Sequence, residues 1–466
     1  MFEDTPDDAM IIIFRYLGQK EVLRTMTFIS RNIYRITRKS IAVESLILRS
    51  RHVNNDTACR MISGYPSLKN IGFINTSITI ATLKRLAKLR GNRILRIQIS
   101  DNKLLRLNEV VLRKLLLQNS QLTTLVLDKV TVDFESSDTI TTIIAEHLPN
   151  IKHLTLSNWT TELDVAPLMH CKSLESLSLL KSSHRLLCAV LKNTSIKTLS
   201  VDKFFIKDMD FPLSTTLSCL RIDYLFESYM QAFPNLLHVT ARSLRCTFCN
   251  NTLESVQIRN DQFTDIVVDN IKHLQASSRI RSCVRLSINP NVESIKLTNM
   301  FVDCDSVRNW VLSFEKLGSL NLSSVGIDSS MDLSSHCSLH SLTLHNCGLT
   351  HFKLTTTSPL TYLNLSKNKR LRCVTVVQQL PLLSTLVLKS VDYLESINFL
   401  PDQSQGEGAL RLVAVAPSLD VNKLLGNIEN CEIVKVESRK SGFLGKYRRR
   451  FQGRYNDRFL DDDWNF

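Results

Sequence analysis

Three short stretches hold residue types that do chemistry. Cys246-Thr-Phe-Cys249 has the spacing of a redox pair or of half a zinc site. His170-Cys171 and His336-Cys337 each set an imidazole next to a thiol, the two partners of nucleophilic catalysis. A zinc site needs a second pair at comparable spacing, and none follows Cys249. Adjacent residues on a strand face opposite sides, so on a strand neither His170 nor His336 serves the cysteine that follows it. Neither GxGxxG nor GxxxxGK[ST] occurs, and 13 glycines in 466 residues leave few for phosphate-cradling loops. No cofactor and no metal are therefore expected, and the chain reads as non-catalytic.

Recognition chemistry has more to work with. Asp202, Asp223, Arg242 and Arg259 recur at one template position in four consecutive repeats, with Lys203, Arg221 and Asp261 beside them. Parallel strands lie about 4.8 Å apart, so these side chains are expected to form a mixed-charge patch with an acidic and a basic end. The patch reads either as ordinary solvated surface or as a substrate site. In the second case its basic end suits an acidic or phosphorylated segment held by paired Arg forks. The formal charge of +14 favours acidic partners in general and does not by itself mean nucleic acid.

The elements that must position this patch are repeats. "RILRIQISDNKL" carries Ile94, Ile97, Ile99 and Asn102; "QLTTLVLDKV" carries Leu122, Leu125 and Leu127; "SLHSLTLHNC" carries Leu339, Leu342, Leu344 and Cys347. The template is LxxLxL followed by a loosely kept Asn/Cys position, recurring every roughly 17–29 residues, the leucine-rich-repeat range. In xLxL, period two sends both leucines inward and the x residues outward. One repeat cannot bury its leucines alone, whereas stacked repeats share one core. The fold class expected is thus α/β: a curved parallel sheet of about sixteen turns. Early returns such as "NEVVLRKLLLQNS" have helical spacing, and later ones, short and Ser-rich, suit 3-10 or extended paths. Near 260–291 the template lapses, which reads as a degenerate repeat with an inserted loop.

The first 40 residues follow a different rule. Thr5-Pro6-Asp7-Asp8 is a helix start, with Thr5 as cap and Pro6 at the first helical position. Met10, Ile13, Phe14 and Leu17 form an i, i+3, i+4, i+7 stripe, yet Ile11, Ile12 and Tyr16 lie off it. A helix apolar nearly all round, in a segment of about 40 residues, is too large a load for the segment's own core. It must be covered twice. The pattern of Pro6, Asp8, Ile13, Phe14, Tyr16, Leu17, Glu21, Leu23, Ser30 and Tyr34 resembles an F-box. An F-box followed by leucine-rich repeats is similar to the substrate receptors of Skp–cullin–F-box ubiquitin ligases. The resemblance implies a Skp adaptor, and through it a cullin, bound by Pro6, Met10, Ile13, Phe14, Leu17, Leu23, Ile29 and Tyr34. It implies a protein substrate on the repeats. The alternative is a leucine-rich-repeat scaffold, binding protein or RNA, whose N-terminal helices are only a cap.

The domain organisation expected is 1–40 for the F-box-like helices, 41–437 for the repeats and 438–466 for a basic, then acidic tail. Arg448, Arg449 and Arg450, with Phe451 and Tyr455, resemble a nuclear-import or nucleic-acid patch, and Asp461-Asp462-Asp463 an acidic counterpart. The plain reading of that tail is a disordered segment. The 12 cysteines lack disulfide spacing, the first residues lack a basic leader, and no apolar run approaches the ~20 residues of a membrane span. A cytoplasmic or nuclear protein is expected.

Overall fold

The computed structural model describes residues 44–65, 68–88, 94–134, 139–157, 163–180, 188, 190–192, 195–202, 213–226, 231–245, 253–260, 265–268, 271–278, 285–288, 291–302, 304–327, 330–333, 338–354, 359–376, 383–391, 393–399, 412–415 and 432–435. The N-terminal segment resembling an F-box, the CxxC and the charged tail lie outside them. The chain divides into two units, Met1–Phe301 and Val302–Phe466.

In the first unit each template copy is one strand of a parallel ladder. The strands are Ser45–Arg49, Asn70–Ile74, Arg96–Ser100, Thr124–Asp128, His153–Ser157, Ser176–Leu180, Thr198–Asp202, Cys219–Phe226, His238–Arg245, Ser255–Asn260, His273–Ser278 and Ser294–Thr298. Each pairs in parallel with the next. The alternation is the one the template dictates: Leu125 and Leu127 are fully buried, while Thr124, Val126 and Asp128 between and beside them are half-exposed. Apolar residues so stacked form a continuous column from Leu46 to Ile295, every member at most 2% exposed. This is the leucine-rich-repeat fold expected from sequence.

What closes each turn depends on repeat length. The step between paired residues is 29 from Asp128 to Ser157 and 17 from Thr240 to Gln257. Long repeats return through the helices Asn55–Gly64, Ile80–Leu86, Glu109–Gln118 and Thr139–His147. The first three start on a side-chain cap: Asn54 accepts from Thr57 N–H, Thr79 from Ala81 N–H, and Asn108 from Val111 N–H. Val111, Leu112, Leu115 and Leu116 are the buried stripe of Glu109–Gln118. Shorter repeats have no room for a helix. There Asp265–Val268 and Arg285–Ile288 form a second, two-stranded parallel sheet.

A common corner joins strand to return. Asn75, Asp101 and Lys129 each follow a strand with φ near +50°. This left-handed turn points their N–H groups at the next rung, to Ser100 O at 2.9 Å, Asp128 O at 3.0 Å and Ser157 O at 3.2 Å. The Asn template position sits just behind it. Asn102, 0% exposed, donates from Nδ2 to Phe73 O and Ser100 O, both at 2.8 Å, and its Oδ1 accepts from Thr76 N–H at 3.0 Å. One amide thereby satisfies backbone groups of two rungs that would otherwise be buried unpaired.

Near 260–291 the ladder continues: His273–Ser278 pairs with Ser255–Asn260 on one side and Ser294–Thr298 on the other, so the interval holds a rung. Its second inward residue is Ala276, fully buried, where the template has Leu, which hides the copy from a leucine search. Ser45–Arg49 is the first described rung, inside the 41–437 expected for the repeats.

The second unit repeats the strand and changes the return. Ser319–Ser323, Ser341–His345, Tyr362–Asn364, Thr385–Leu388, Leu412–Val415 and Glu432–Lys435 pair in parallel. The returns hold Ser330–Leu333, His351–Leu354, Cys373–Val376 and Ser396–Phe399, a second parallel sheet of four strands. These are the extended paths expected of the short, Ser-rich segments. Met331, Leu333, Phe352, Leu354, Val374 and Ile397 are its buried residues. The helix Cys304–Ser313, with Val307 and Trp310 buried, precedes them. The corner is unchanged: Ser324, Asn346 and Lys367 have φ of 56–60° and donate to His345 O, Ser366 O and Lys389 O.

Candidate functional site

A ladder in register turns template positions into columns. In the first unit the column between the two inward residues reads Ile47, Gly72, Gln98, Val126, Thr155, Ser178, Ser200, Arg221, Thr240, Gln257, Gln275 and Lys296. At Gly72 a Cβ would stand 3.2 Å from Cγ2 of Ile47 on the preceding rung, a tight contact that the Ile47 side chain would have to relieve. The column after the second inward residue carries Asp202, Asp223, Arg242 and Arg259. Charge on these columns is concentrated on the rungs from Thr198–Asp202 to Ser255–Asn260.

Of the residues read from sequence, the structure brings four together. Arg221 is the ladder partner of Ser200 and Thr240. Asp223 lies two residues further on, on the same side of the same strand, and stands opposite Arg242 between the paired positions Ile222–Ala241 and Tyr224–Ser243. Arg242 and Arg259 occupy equivalent positions on successive rungs, and Arg259 pairs with Ser277. Arg221, Arg242 and Arg259 are half-exposed. Asp223 is only 5% exposed, so the expected acidic end does not face solvent at this rung. Asp223 lies two residues from Arg221 on its own strand and opposite the rung that bears Arg242. Asp202 ends its strand as the partner of Leu180. Lys203 and Asp261 lie outside the described residues, as do Pro6, Met10, Ile13, Phe14, Leu17, Leu23, Ile29 and Tyr34.

A second set of charges was legible but not recognised. The residue just before the strand is charged on several rungs of the first unit, and where charged residues follow one another there they alternate in sign. Glu44 meets Lys69 at 2.6 Å; Glu175 lies between Lys152 at 3.7 Å and Lys197 at 3.2 Å; Glu254 meets Lys272 at 3.0 Å. The hydrogen bond from Lys197 holds the Glu175 carboxyl below the usual range, and Lys272 does the same for Glu254. These exposed pairs contribute little stability but favour one register over a slip by a rung. The signal is a fixed offset in LxxLxL.

Two of the six described cysteines, Cys171 and Cys347, are buried packing groups, and the other four are partly exposed. Cys171 is fully buried and burial pushes its thiol up to about 11. Cys347, with its thiol pushed up to about 12, occupies the Asn position of its repeat and donates from Sγ to Leu322 O at 3.2 Å. Asn368 holds the same position one repeat on, donating to Leu344 O at 2.6 Å and Leu365 O at 2.8 Å. Among the described residues no three His, Cys, Asp or Glu are grouped to hold a metal ion, and no helix is long and apolar enough to cross a membrane. The pair His336-Cys337 lies outside the described residues.

No family model matches the chain, and no curated protein matches it. Solved structures resemble it as folds. An internalin from Listeria monocytogenes is 14% identical, over 69% of this chain and 89% of its own, with a TM-score of 0.39. TLR13 in its complex with ssRNA13 is 15% identical, over 85% of this chain and 71% of its own, with a TM-score of 0.42. The Drosophila Toll–Spatzle complex gives 10% identity, 80% and 56% coverage and a TM-score of 0.38. At these values the likeness adds nothing to what the ladder itself shows, and function must be argued from this chain's own residues.

Proposed function

We propose that this chain is a protein-recognition subunit, the substrate receptor of a Skp–cullin–F-box ubiquitin ligase. Its N-terminal helices bind the Skp adaptor through Phe14, Leu17 and their neighbours, and its repeats hold a protein substrate. The observation that carries the reading is the sequence from Pro6 to Leu17, a helix apolar on more faces than its own short segment can cover. The placement of the first rung supports it. Glu44 is already part of the ladder: its carbonyl accepts from Lys69 N–H at 2.7 Å and Asn70 N–H at 2.8 Å. The ladder thus begins within about five residues of the segment that resembles an F-box.

Burying two large apolar side chains is worth roughly 1.5–3 kcal/mol each. Phe14→Ala with Leu17→Ala should therefore weaken adaptor binding by roughly 3–5 kcal/mol, more than a hundredfold. The test is calorimetry of a purified Skp adaptor titrated into the full chain, with thermal melting of the same variant. A selective loss of binding supports the reading. No binding by the wild type, or a variant that melts as a whole, makes residues 6–34 a structural cap and the chain a scaffold.

A further inference from the structure

We infer that the rungs bearing Arg221, Arg242 and Arg259 are the docking site for an extended, carboxylate-rich segment of a partner protein. This rests on the protein-recognition reading above and names the partner's chemistry. Three adjacent rungs of the first unit each present one arginine on the outward side of the sheet. No other three successive rungs among the described residues do so. Rungs are about 4.8 Å apart, so Arg242 and Arg259 stand side by side with guanidinium forks that can converge on one carboxylate or on two neighbouring ones.

Asp223 is what makes this a prepared surface. It lies 5% exposed, next to Arg221 on its own strand and opposite Arg242 on the next rung. Ion pairing at that position would restrain the two arginines and lower the entropy they lose on binding. Arg259, half-exposed, lies further from it and completes the site as its basic end.

The surrounding positions select the kind of partner. Ser200, Thr240, Gln257 and Gln275 flank the arginines in the neighbouring column. They are short or amide side chains that hydrogen-bond an extended backbone. They offer no aromatic face on which a base stacks, as single-stranded nucleic acid sites do. A continuous phosphate backbone would also run past the Asp223 carboxylate. An acidic peptide carries its charge at intervals, about 6.8 Å between alternate side chains, and avoids that repulsion. The chain's excess of basic charge, +14, adds long-range attraction of the same sign.

The experiment uses the full chain and a fluorescent ten-residue peptide of alternating Glu and Ser, followed by anisotropy at low and moderate salt. A Gln-for-Glu peptide and a ten-nucleotide single-stranded RNA are the competitors. Binding of the Glu peptide should weaken at least tenfold in Arg242→Gln/Arg259→Gln, and the Gln peptide should not compete. Arg242→Glu/Arg259→Glu should gain affinity for the Lys version of the peptide, a gain that misfolding cannot produce. Equal binding by wild type and Gln variant, equal competition by the Gln peptide, or stronger competition by RNA overturns the inference. Adaptor binding measured on the same variants keeps the two readings apart: it should be unchanged by either pair of substitutions.

Discussion

The two units build the same strand and differ in the balance of their returns, helices with short two-stranded sheets in the first and chiefly a four-stranded sheet in the second. In Met1–Phe301, steps of up to 29 residues leave room for helices behind the ladder. In Val302–Phe466 a single described helix gives way to a second parallel sheet, from Ser330–Leu333 to Ser396–Phe399. The outward columns differ as well. The first unit gathers Arg221, Arg242 and Arg259 on three rungs, whereas Asn321, Thr343, Asn364 and Val387 line the second. The strand and its left-handed corner are therefore the shared part, set by two inward apolar residues and one residue of positive φ, with a buried amide behind the corner at Asn102 and Asn368 and Cys347 or an apolar side chain at others. The return and the outward residues are free to vary, and function is written on them.

The largest effect that tests this division is loss of the layer behind each ladder. Phe352, 1% exposed on the second sheet, should cost about 3–5 kcal/mol as Phe352→Ala, and Leu112, 0% exposed on its helix, about 2–5 kcal/mol as Leu112→Ala. Native-state hydrogen exchange should show each loss in the unit that carries the substitution. Weakened protection spreading evenly through both would mean that the two units do not unfold separately.

The shared corner gives the next test. Asn102→Ala and Asn368→Ala each leave buried backbone groups unpaired and should each cost roughly 3 kcal/mol, whatever the return behind them. A large effect in one unit and none in the other would break the claim of a common corner. Smaller, and opposite in sign, are Lys129→Gly and Lys367→Gly. Both residues sit near φ +50 to +60° without the Asn or Asp side chain that eases that conformation. Glycine should stabilise each by about 0.5–1 kcal/mol, read as a rise in denaturation midpoint.

The units should also differ in their response to pH. Burial, aided by Lys367, lowers the pKa of His345, so the unfolded chain binds the proton more readily. The second unit should lose stability as pH falls from about 6.5, the ordinary histidine value. Glu175 and Glu254 in the first unit are held below the usual carboxylate range by Lys197 and Lys272. Their contribution is present above the ordinary carboxylate value and lost only as pH falls through their lowered one. His345→Gln should flatten the limb near pH 6, and Glu175→Gln only the acid limb.

How far the sequence carried these points follows from the physics of each. Leu125 and Leu127 were legible because period two is a covalent fact of strands, and Asn102 and Asn368 because a side-chain amide both donates and accepts at that corner. The helix Glu109–Gln118 was legible from its stripe, but Asn55–Gly64, with Ala58, Ile62 and Gly64 buried, has too thin a stripe to show. His273–Ser278 was hidden by Ala276. The arginines were placed on neighbouring rungs correctly, since register follows from the template. Burial of Asp223 was not legible, because outward position in a strand says nothing about what neighbouring rungs cover.

One measurement bears most directly on the account: stepwise titration of the full chain, first with the Glu–Ser peptide and then with a purified Skp adaptor. The account predicts two independent binding events. Phe14→Ala/Leu17→Ala should abolish the second alone, and Arg242→Glu/Arg259→Glu the first alone. A wild-type chain that takes up neither, or one pair of substitutions that abolishes both events in a folded protein, would contradict a receptor built from separate adaptor and recognition surfaces.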